Sequence, residues 1–398
     1  LIDPDDAARR PVRAPYMRVP MHVRGVINEY CEKLERLGFH VRRASTNAAV
    51  WTSPSHVIVR DGKVRLVVDL RRVNERVVMP PTVCDTIDAL RERMSGKRYF
   101  TALDISKGYH MVRLAPGVRG ADLLSYQVGA NVYTPTGLTQ GLAAAPALFN
   151  ARILSMFRDL IDAGRVVVYV DDLIVIGATR AEHDANLRAV LQRCRDYHLV
   201  LSAEKASKFG ATEISALGVR VSASGFEMTA ERIRALDEAP EPRTRKQLMS
   251  FVALFNHYSP FLGADFAEVA APLTMLIRKH APDGKSNPTR WAALGDEQRA
   301  AFITLKARLR RVVVLAHPVP HSTERPMRLR TDASNVALGA TLEQWDVAVG
   351  AWRPIAHYSH RLSPTQSRYS TSEKEALAMV WATARARPFL LGAVGWKI

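Results

Sequence analysis

The stretch RVVVYVDDLIVIG, residues 165–177, constrains this chain more than any other. Two short apolar runs rich in β-branched residues, 166–170 and 173–176, flank two adjacent carboxylates. This pattern predicts a tight β-hairpin with Asp171 and Asp172 at its turn. Adjacent like charges repel and lose hydration beside an apolar sheet, so the pair needs a solvated turn or a cation. Asp favours turns through its own local hydrogen bonds, so on these residues alone both readings stay open. A second segment, RYFTALDISKGYHMVRL at residues 98–114, shifts the balance, because Asp104 ends the apolar run 99–103. One carboxylate at a strand end, beside two at a hairpin tip, makes the three-carboxylate cluster that two divalent ions need for phosphoryl or nucleotidyl transfer.

Charge says what such a cluster would act on. Lys and Arg number 56 against 39 Asp and Glu among 398 residues, a formal charge of +17, which points to a polyanionic partner, nucleic acid first. With 47% hydrophobic residues, a chain of this length builds two or more domains with real cores. Cys31, Cys84 and Cys194 are odd in number and far apart, so they suggest neither a disulfide framework nor a zinc site, and a reducing compartment fits. His357 and His360 have His-x-x-His spacing without a cysteine pair and read as ordinary strand residues. No apolar run approaches the roughly 18 residues of a membrane span, and the start lacks a signal-peptide pattern, so no membrane partner is expected. The first residue is Leu1 rather than Met, which fits a piece of a polyprotein or a partial sequence.

Tyr169-Val170-Asp171-Asp172 resembles the Tyr-x-Asp-Asp box of reverse transcriptases. The order and spacing of its companion blocks resemble the gypsy-type LTR retrotransposons (metaviruses) over nearly the whole chain. The resemblance implies an α+β right-hand polymerase of fingers, palm and thumb, followed by a truncated RNase H-like α/β domain. The implied divisions are arm and fingers at 1–95, palm at 96–222, thumb at 223–285, connection at 286–324 and RNase H-like domain at 325–398. It implies template-directed addition of dNTPs to a primer 3′-hydroxyl on RNA or DNA, with Asp104, Asp171 and Asp172 holding two Mg²⁺ that Mn²⁺ can replace. The implied partners are an RNA/DNA template-primer duplex, dNTPs and the other Pol polyprotein segments: protease, the rest of RNase H, and integrase. Cytoplasmic virus-like particles, or the nucleus, would be the setting.

Taken in order, residues 11–20 form a proline-punctuated basic arm, and residues 21–37 have helical spacing with Gly38 as the stop. Strands at 57–59 and 64–70 join at an Asp61-Gly62 turn crowded by Arg60, Lys63 and Arg65. By resemblance Arg65 grips the triphosphate, with Arg60 as the second cation and Lys63 more loosely placed. A solvated basic hairpin is the plainer reading. Tyr109, five residues past Asp104, matches the aromatic that stacks under the nucleotide sugar and excludes a 2′-hydroxyl; a core tyrosine is the alternative. Residues 133–153 read as a Gly-rich turn followed by a helix of small and apolar residues. Within it Gln140 and Gly141 match a position that contacts the sugar, where many gypsy-type elements carry Phe in place of Gln140. Tyr169 of the box is a further implied substrate contact.

Residues 180–198 form an amphipathic helix, and Lys205 then matches a lysine able to protonate the pyrophosphate leaving group, unless it is only an exposed helix-end residue. Val219 replaces the histidine of the family's Leu-Gly-His turn. A Pro-rich linker at 238–245 leads to a helix begun by a Thr244/Gln247 capping pattern with Arg243, Arg245 and Lys246 at its head, resembling the thumb. Another linker lies at 284–288, then a helix at 297–311. From Met327 a strand carrying Asp332, a second strand centred on Gly339 and a helix at 369–386 carrying Glu375 resemble the start of an RNase H fold. Ser372 with Glu375 also fits a capping box, which would make Glu375 structural. The family's third acidic residue would fall past Ile398, so hybrid cleavage is not expected, and Val336, Leu338, Leu377, Val380 and Trp381 should stay exposed or pack improvised contacts. Two rivals remain: an inactive domesticated nucleic-acid-binding protein, against which the complete carboxylate triad speaks, and an RNA-dependent RNA polymerase, against which Tyr109 and the RNase H-like block speak.

Overall fold

The computed structural model describes residues 13, 21–43, 51–60, 63–81, 87–117, 120–203, 206, 208–279, 294–319, 321–391 and 393–398. Most of the basic arm, the Asp61-Gly62 turn, Lys205 and the linker at 284–288 lie outside them, as do the side chains of Arg60, Lys63 and Arg65. The chain forms two compact units, Leu1–Asp85 with Leu103–Val175 and Asp184–Ala206, and Thr86–Ala102 with Ile176–His183 and Ser207–Ile398.

A three-stranded sheet in the order Tyr99–Asp104, Asp172–Gly177, Val166–Tyr169 carries the Asp-Asp hairpin. Val166, Val167, Val168 and the run from Leu173 to Ile176 are all buried, so this hairpin is covered on both faces and reads as continuous apolar sequence. The first unit's core joins it to the helix Ala145–Asp162 through Phe149, Ile153, Phe157 and Leu160, and to the helix Arg180–Asp196 through Leu187, Val190 and Cys194. Each such side chain contributes roughly 1.5–3 kcal/mol by leaving water. Pro146 fits the first turn of its helix, where its missing N–H has no partner to lose.

The same unit holds a five-stranded sheet in the order His40–Arg43, Asn131–Pro135, Tyr126–Val128, Ser53–Arg60, Lys63–Val68. Ser53–Arg60 and Lys63–Val68 pair antiparallel down to Arg60 opposite Lys63, longer at the start than the sequence pattern implies. The helix Met21–Arg36 buries Ile27, Cys31 and Leu34, while Val26 and, just past its end, Leu37 are exposed. Gly38, at φ +69°, ends it, and its N–H donates to the Glu35 carbonyl.

In the second unit, strands Glu213–Ala216, Val219–Ser222 and Gly225–Met228 form a meander, with both Leu217 and Gly218 at positive φ in its first turn. Helices Ala230–Asp237, Arg245–His257, Ala271–Lys279 and Asp296–Arg308 follow. Thr244 caps the second of these by accepting from the Gln247 N–H, but the Gln247 side chain accepts from Arg243 N–H, one residue short of a full capping box. Strands Met327–Ala333, Ala337–Asp346 and Ala351–Arg361 make an antiparallel sheet covered by the helix Thr371–Leu390, whose Ala382, Ala386 and Phe389 meet Leu329, Leu342 and Ile355.

Two expectations for this last region are corrected. The capping box is Ser370 with Glu373, both of its hydrogen bonds present, so the helix starts two residues earlier than a Ser372 cap and Glu375 lies inside it. Leu338 is buried with Leu362 and Ala378, because the strand Ala351–Arg361 and the helix close over it, and Trp381 stacks on His360 at 5.6 Å. Val380 and Val336 do remain exposed, at 71% and 37%. Also in this unit, Arg91 on the helix Ile87–Arg93 is buried and donates to the carbonyls of Ala316 and Ile355, between the rings of Phe226 and Phe389. Among the described residues no helix is long and apolar enough to cross a membrane.

Candidate active site

The hairpin ladder closes with Tyr169 opposite Asp172, so the two-residue turn is Val170-Asp171 and Asp172 begins the return strand. That shifts the expected turn by one residue. Val170 takes φ +55°, while Asp171 is not at positive φ. This is the type II′ pattern, whose first position ordinarily takes glycine. A β-branched residue there is strained, at a cost on the order of 1–3 kcal/mol, which the ladder on either side must hold. The turn leaves Asp171 exposed and Asp172 half-buried.

Asp104 is the last residue of its strand. Immediately after it, the Ile105 N–H donates to the Asp171 carbonyl at 3.0 Å, and the Asp104 carbonyl accepts from the Ser202 N–H at 2.9 Å. These bonds bring Asp104 and Asp171 to neighbouring positions at one end of the sheet. Their carboxylate oxygens suit hard divalent cations. Among the described residues, however, no group of three His, Cys, Asp or Glu side chains is gathered closely enough to hold a metal ion. The backbone therefore assembles the three carboxylates at one edge without converging their oxygens. Convergence of like charges requires a cation to offset their repulsion.

Tyr109 sits on the single helical turn Gly108–Met111, entered through Lys107 at φ +53°. Its ring meets Phe149 edge-on at 5.2 Å. Burial, and then the negative charge of Asp171, push its phenol pKa up. Gly108 makes this possible, since a Cβ there would lie 2.6 Å from Phe149 Cζ. Tyr109 and Gln140 line one cleft of about 200 Å³, together with Lys107, Tyr126 and Thr139. Gly141 takes φ +94°, with room for a Cβ limited by the Val68 carbonyl at 3.3 Å. Sequence reasoning missed Asn74, whose side chain bonds the backbone on both sides of Leu142. No local pattern marks it, because its partners lie 67 and 69 residues away.

The remaining expected residues are placed less closely. Tyr169 ends the first hairpin strand, half-buried. Arg60 and Lys63 face each other across the end of their strand pair and Arg65 lies two residues on. In the second unit, exposed Asp332 lies opposite Gly339, and half-buried Glu375 lies in the second turn of its helix.

Comparison with known proteins gives this geometry its family. Residues 58–221 match the model of "Reverse transcriptase (RNA-dependent DNA polymerase)", and residues 294–395 match that of "RNase H-like domain found in reverse transcriptase". The chain is 33% identical over 394 residues to the Retrovirus-related Pol polyprotein from transposon opus of Drosophila melanogaster, covering 98% of this chain and 38% of that protein. It is 30% identical over 358 residues to the corresponding polyprotein from transposon gypsy of the same organism, covering 86% of this chain and 33% of that one. The chain thus spans less than two fifths of these relatives' length. In fold it is similar to the foamy viral protease-reverse transcriptase in complex with dsDNA, at a TM-score of 0.80 and 23% identity, covering 97% of this chain and 75% of that one. The same viral protein in complex with an RNA/DNA hybrid gives 0.79 and 22%, covering 97% and 49%. The fold is that of the α+β right-hand polymerase followed by an RNase H-like domain. With both family models in order along one chain and Pol polyproteins as its relatives, the protein belongs to the reverse transcriptase and RNase H-like region of gypsy-type LTR retrotransposon Pol polyproteins.

Proposed function

We propose that this chain is an RNA-directed DNA polymerase that extends a primer 3′-hydroxyl with dNTPs on an RNA or DNA template. The observation that carries the reading is the stitching of Asp104 to the Asp171 tip by the Ile105 N–H. A site meant only for binding phosphate gains nothing from three carboxylates at one sheet end, since they repel the ligand. Asp104, Asp171 and Asp172 are the residues that would hold two Mg²⁺, with Mn²⁺ able to replace them. When bound, such ions lower the pKa of the attacking hydroxyl and offset the charge of the leaving pyrophosphate.

The protein's own groups position the reactants. The ring of Tyr109, braced by Phe149, forms a wall of the cleft and would leave no room for a 2′-hydroxyl on the incoming sugar. Gln140 faces the same cleft and would contact the sugar, with Gly141 and Tyr169 beside the nucleotide. Arg60, Lys63 and Arg65, on the fingers hairpin, would meet the triphosphate, and Lys205 would protonate the pyrophosphate. The net charge of +17 suits a template-primer duplex, whose backbone contacts position without reading sequence.

Primer extension on RNA and DNA templates, with dNTPs or NTPs, tests the reading. Asp171→Asn should abolish extension while duplex affinity holds or tightens, because a carboxylate repelling the substrate phosphates has been removed. Retention of more than about a tenth of wild-type extension would sink the metal-ligand role of Asp171. Duplex binding by a wild-type chain that extends nothing would favour an inactive binding protein instead.

A further inference from the structure

We infer that Asn74 is a positioning residue of the nucleotide site, a role that rests on the polymerase reading: its carboxamide fixes the Gln140-Gly141 turn at the cleft wall. Nδ2 donates to the Gly141 carbonyl at 2.9 Å, and Oδ1 accepts from the Ala143 N–H at 2.8 Å. Only this orientation of the amide satisfies both groups, so the pair of bonds selects one conformation of the turn. Between the bonds, Leu142 is buried in the core, whereas Gln140, Gly141 and Ala143 are exposed. The clamp therefore acts on the exposed residues that directly follow Gln140, itself a cleft-lining residue, and leaves the core anchor alone.

The base of the clamp is rigid. Asn74 ends the short helix Arg71–Asn74, pinned by Leu70 and Val73, both buried in the same core as Phe149. That helix follows directly on the strand Lys63–Val68 of the hairpin that carries Arg60, Lys63 and Arg65. Gly141 lies against the end of that strand, since its Cβ position is 3.3 Å from the Val68 carbonyl. Asn74 thus sits where the base of the triphosphate hairpin and the sugar-contacting turn meet. Both Gly141 C=O and Ala143 N–H precede the helix Ala145–Asp162, so no helical ladder would hold them in its place. Without the carboxamide they would turn to water, and Gln140 would sample positions away from the nucleotide.

Asn74→Ala should raise the KM for dNTP about tenfold, with kcat within about threefold and duplex affinity unchanged, the signature of lost substrate positioning. Asn74→Asp keeps the acceptor for Ala143 but sets a carboxylate oxygen against the Gly141 carbonyl, so its KM should rise at least as far as that of Asn74→Ala. Hydrogen exchange supplies a readout independent of turnover: amides at 139–144 should exchange faster in Asn74→Ala, with the core strands at 166–169 and 172–177 unaffected. Unchanged KM in an active enzyme, or unchanged exchange at 139–144, would overturn the role. So would a joint fall of kcat, duplex affinity and Tm, which would mark a general fold defect. A wild-type chain that extends no primer would instead overturn the polymerase reading itself, and the nucleotide role of Asn74 with it.

Discussion

At the scale of single residues, two side chains give the sharpest tests. Tyr109 is proposed to exclude the ribonucleotide because it lines the cleft with Gln140 beside the Asp171 tip. Tyr109→Val should raise NTP incorporation relative to dNTP in a competition assay, and unchanged discrimination would return Tyr109 to the role of a core residue. His40 is a different case: it is buried, stacked on Tyr133 at 4.4 Å, with Nε2 on the Cys31 carbonyl and Nδ1 on the Tyr126 hydroxyl. Burial lowers its pKa, outweighing the opposing pull of the Cys31 carbonyl and Glu35. The unfolded chain takes up a proton near the usual pKa of about 6.5 while the folded chain does not, so stability is lost as pH falls below that value. His110, His317 and His357 are lowered by burial as well and add to the same trend. Thermal melts from about pH 7.5 to about pH 5 should show Tm falling, with a shallower slope in His40→Gln. An equal slope in that variant would remove His40 from the account.

At the scale of elements, the turn Gly108–Met111 depends on one missing methyl group. Gly108→Ala would set a Cβ 2.6 Å from the buried Phe149 ring. Relieving it should cost roughly 1–3 kcal/mol in urea unfolding and also displace Tyr109; a neutral result would show that Phe149 yields freely. This contact was not legible in the sequence, because Phe149 is a long way along the chain and Gly108 looks like any loop glycine. The Asp-Asp hairpin was legible, since continuous β-branched runs on both sides leave few other structures. Its turn was misplaced by one residue because Val170, the residue least suited to positive φ, is the one that adopts it. The start of the helix Thr371–Leu390 was ambiguous for another reason. Ser370 with Glu373 and Ser372 with Glu375 satisfy the same capping pattern, and what separates them is the buried face of Ala378, Ala382 and Ala386 against its sheet. Asp104 and Asp171 could be proposed from their places at the ends of apolar runs and Tyr109 by resemblance to the family, whereas Asn74 could not, because a single carboxamide carries no periodicity.

For the whole molecule, an excess of positive charge should dominate duplex affinity. Log affinity should fall linearly and steeply with log salt as phosphate contacts release counterions. A flat plot between low and physiological ionic strength would contradict the electrostatic reading. The buried Arg91 has a consequence of another kind, for the time at which the second unit can close. Its Ile355 acceptor lies 264 residues further along the chain. At roughly 5–20 residues per second of synthesis, the helix Ile87–Arg93 emerges about ten to fifty seconds before that carbonyl exists. Until then the guanidinium, which ends between two aromatic rings, stays in water. The second unit is thus built to be finished late, with one of its earliest helices waiting for one of its last strands.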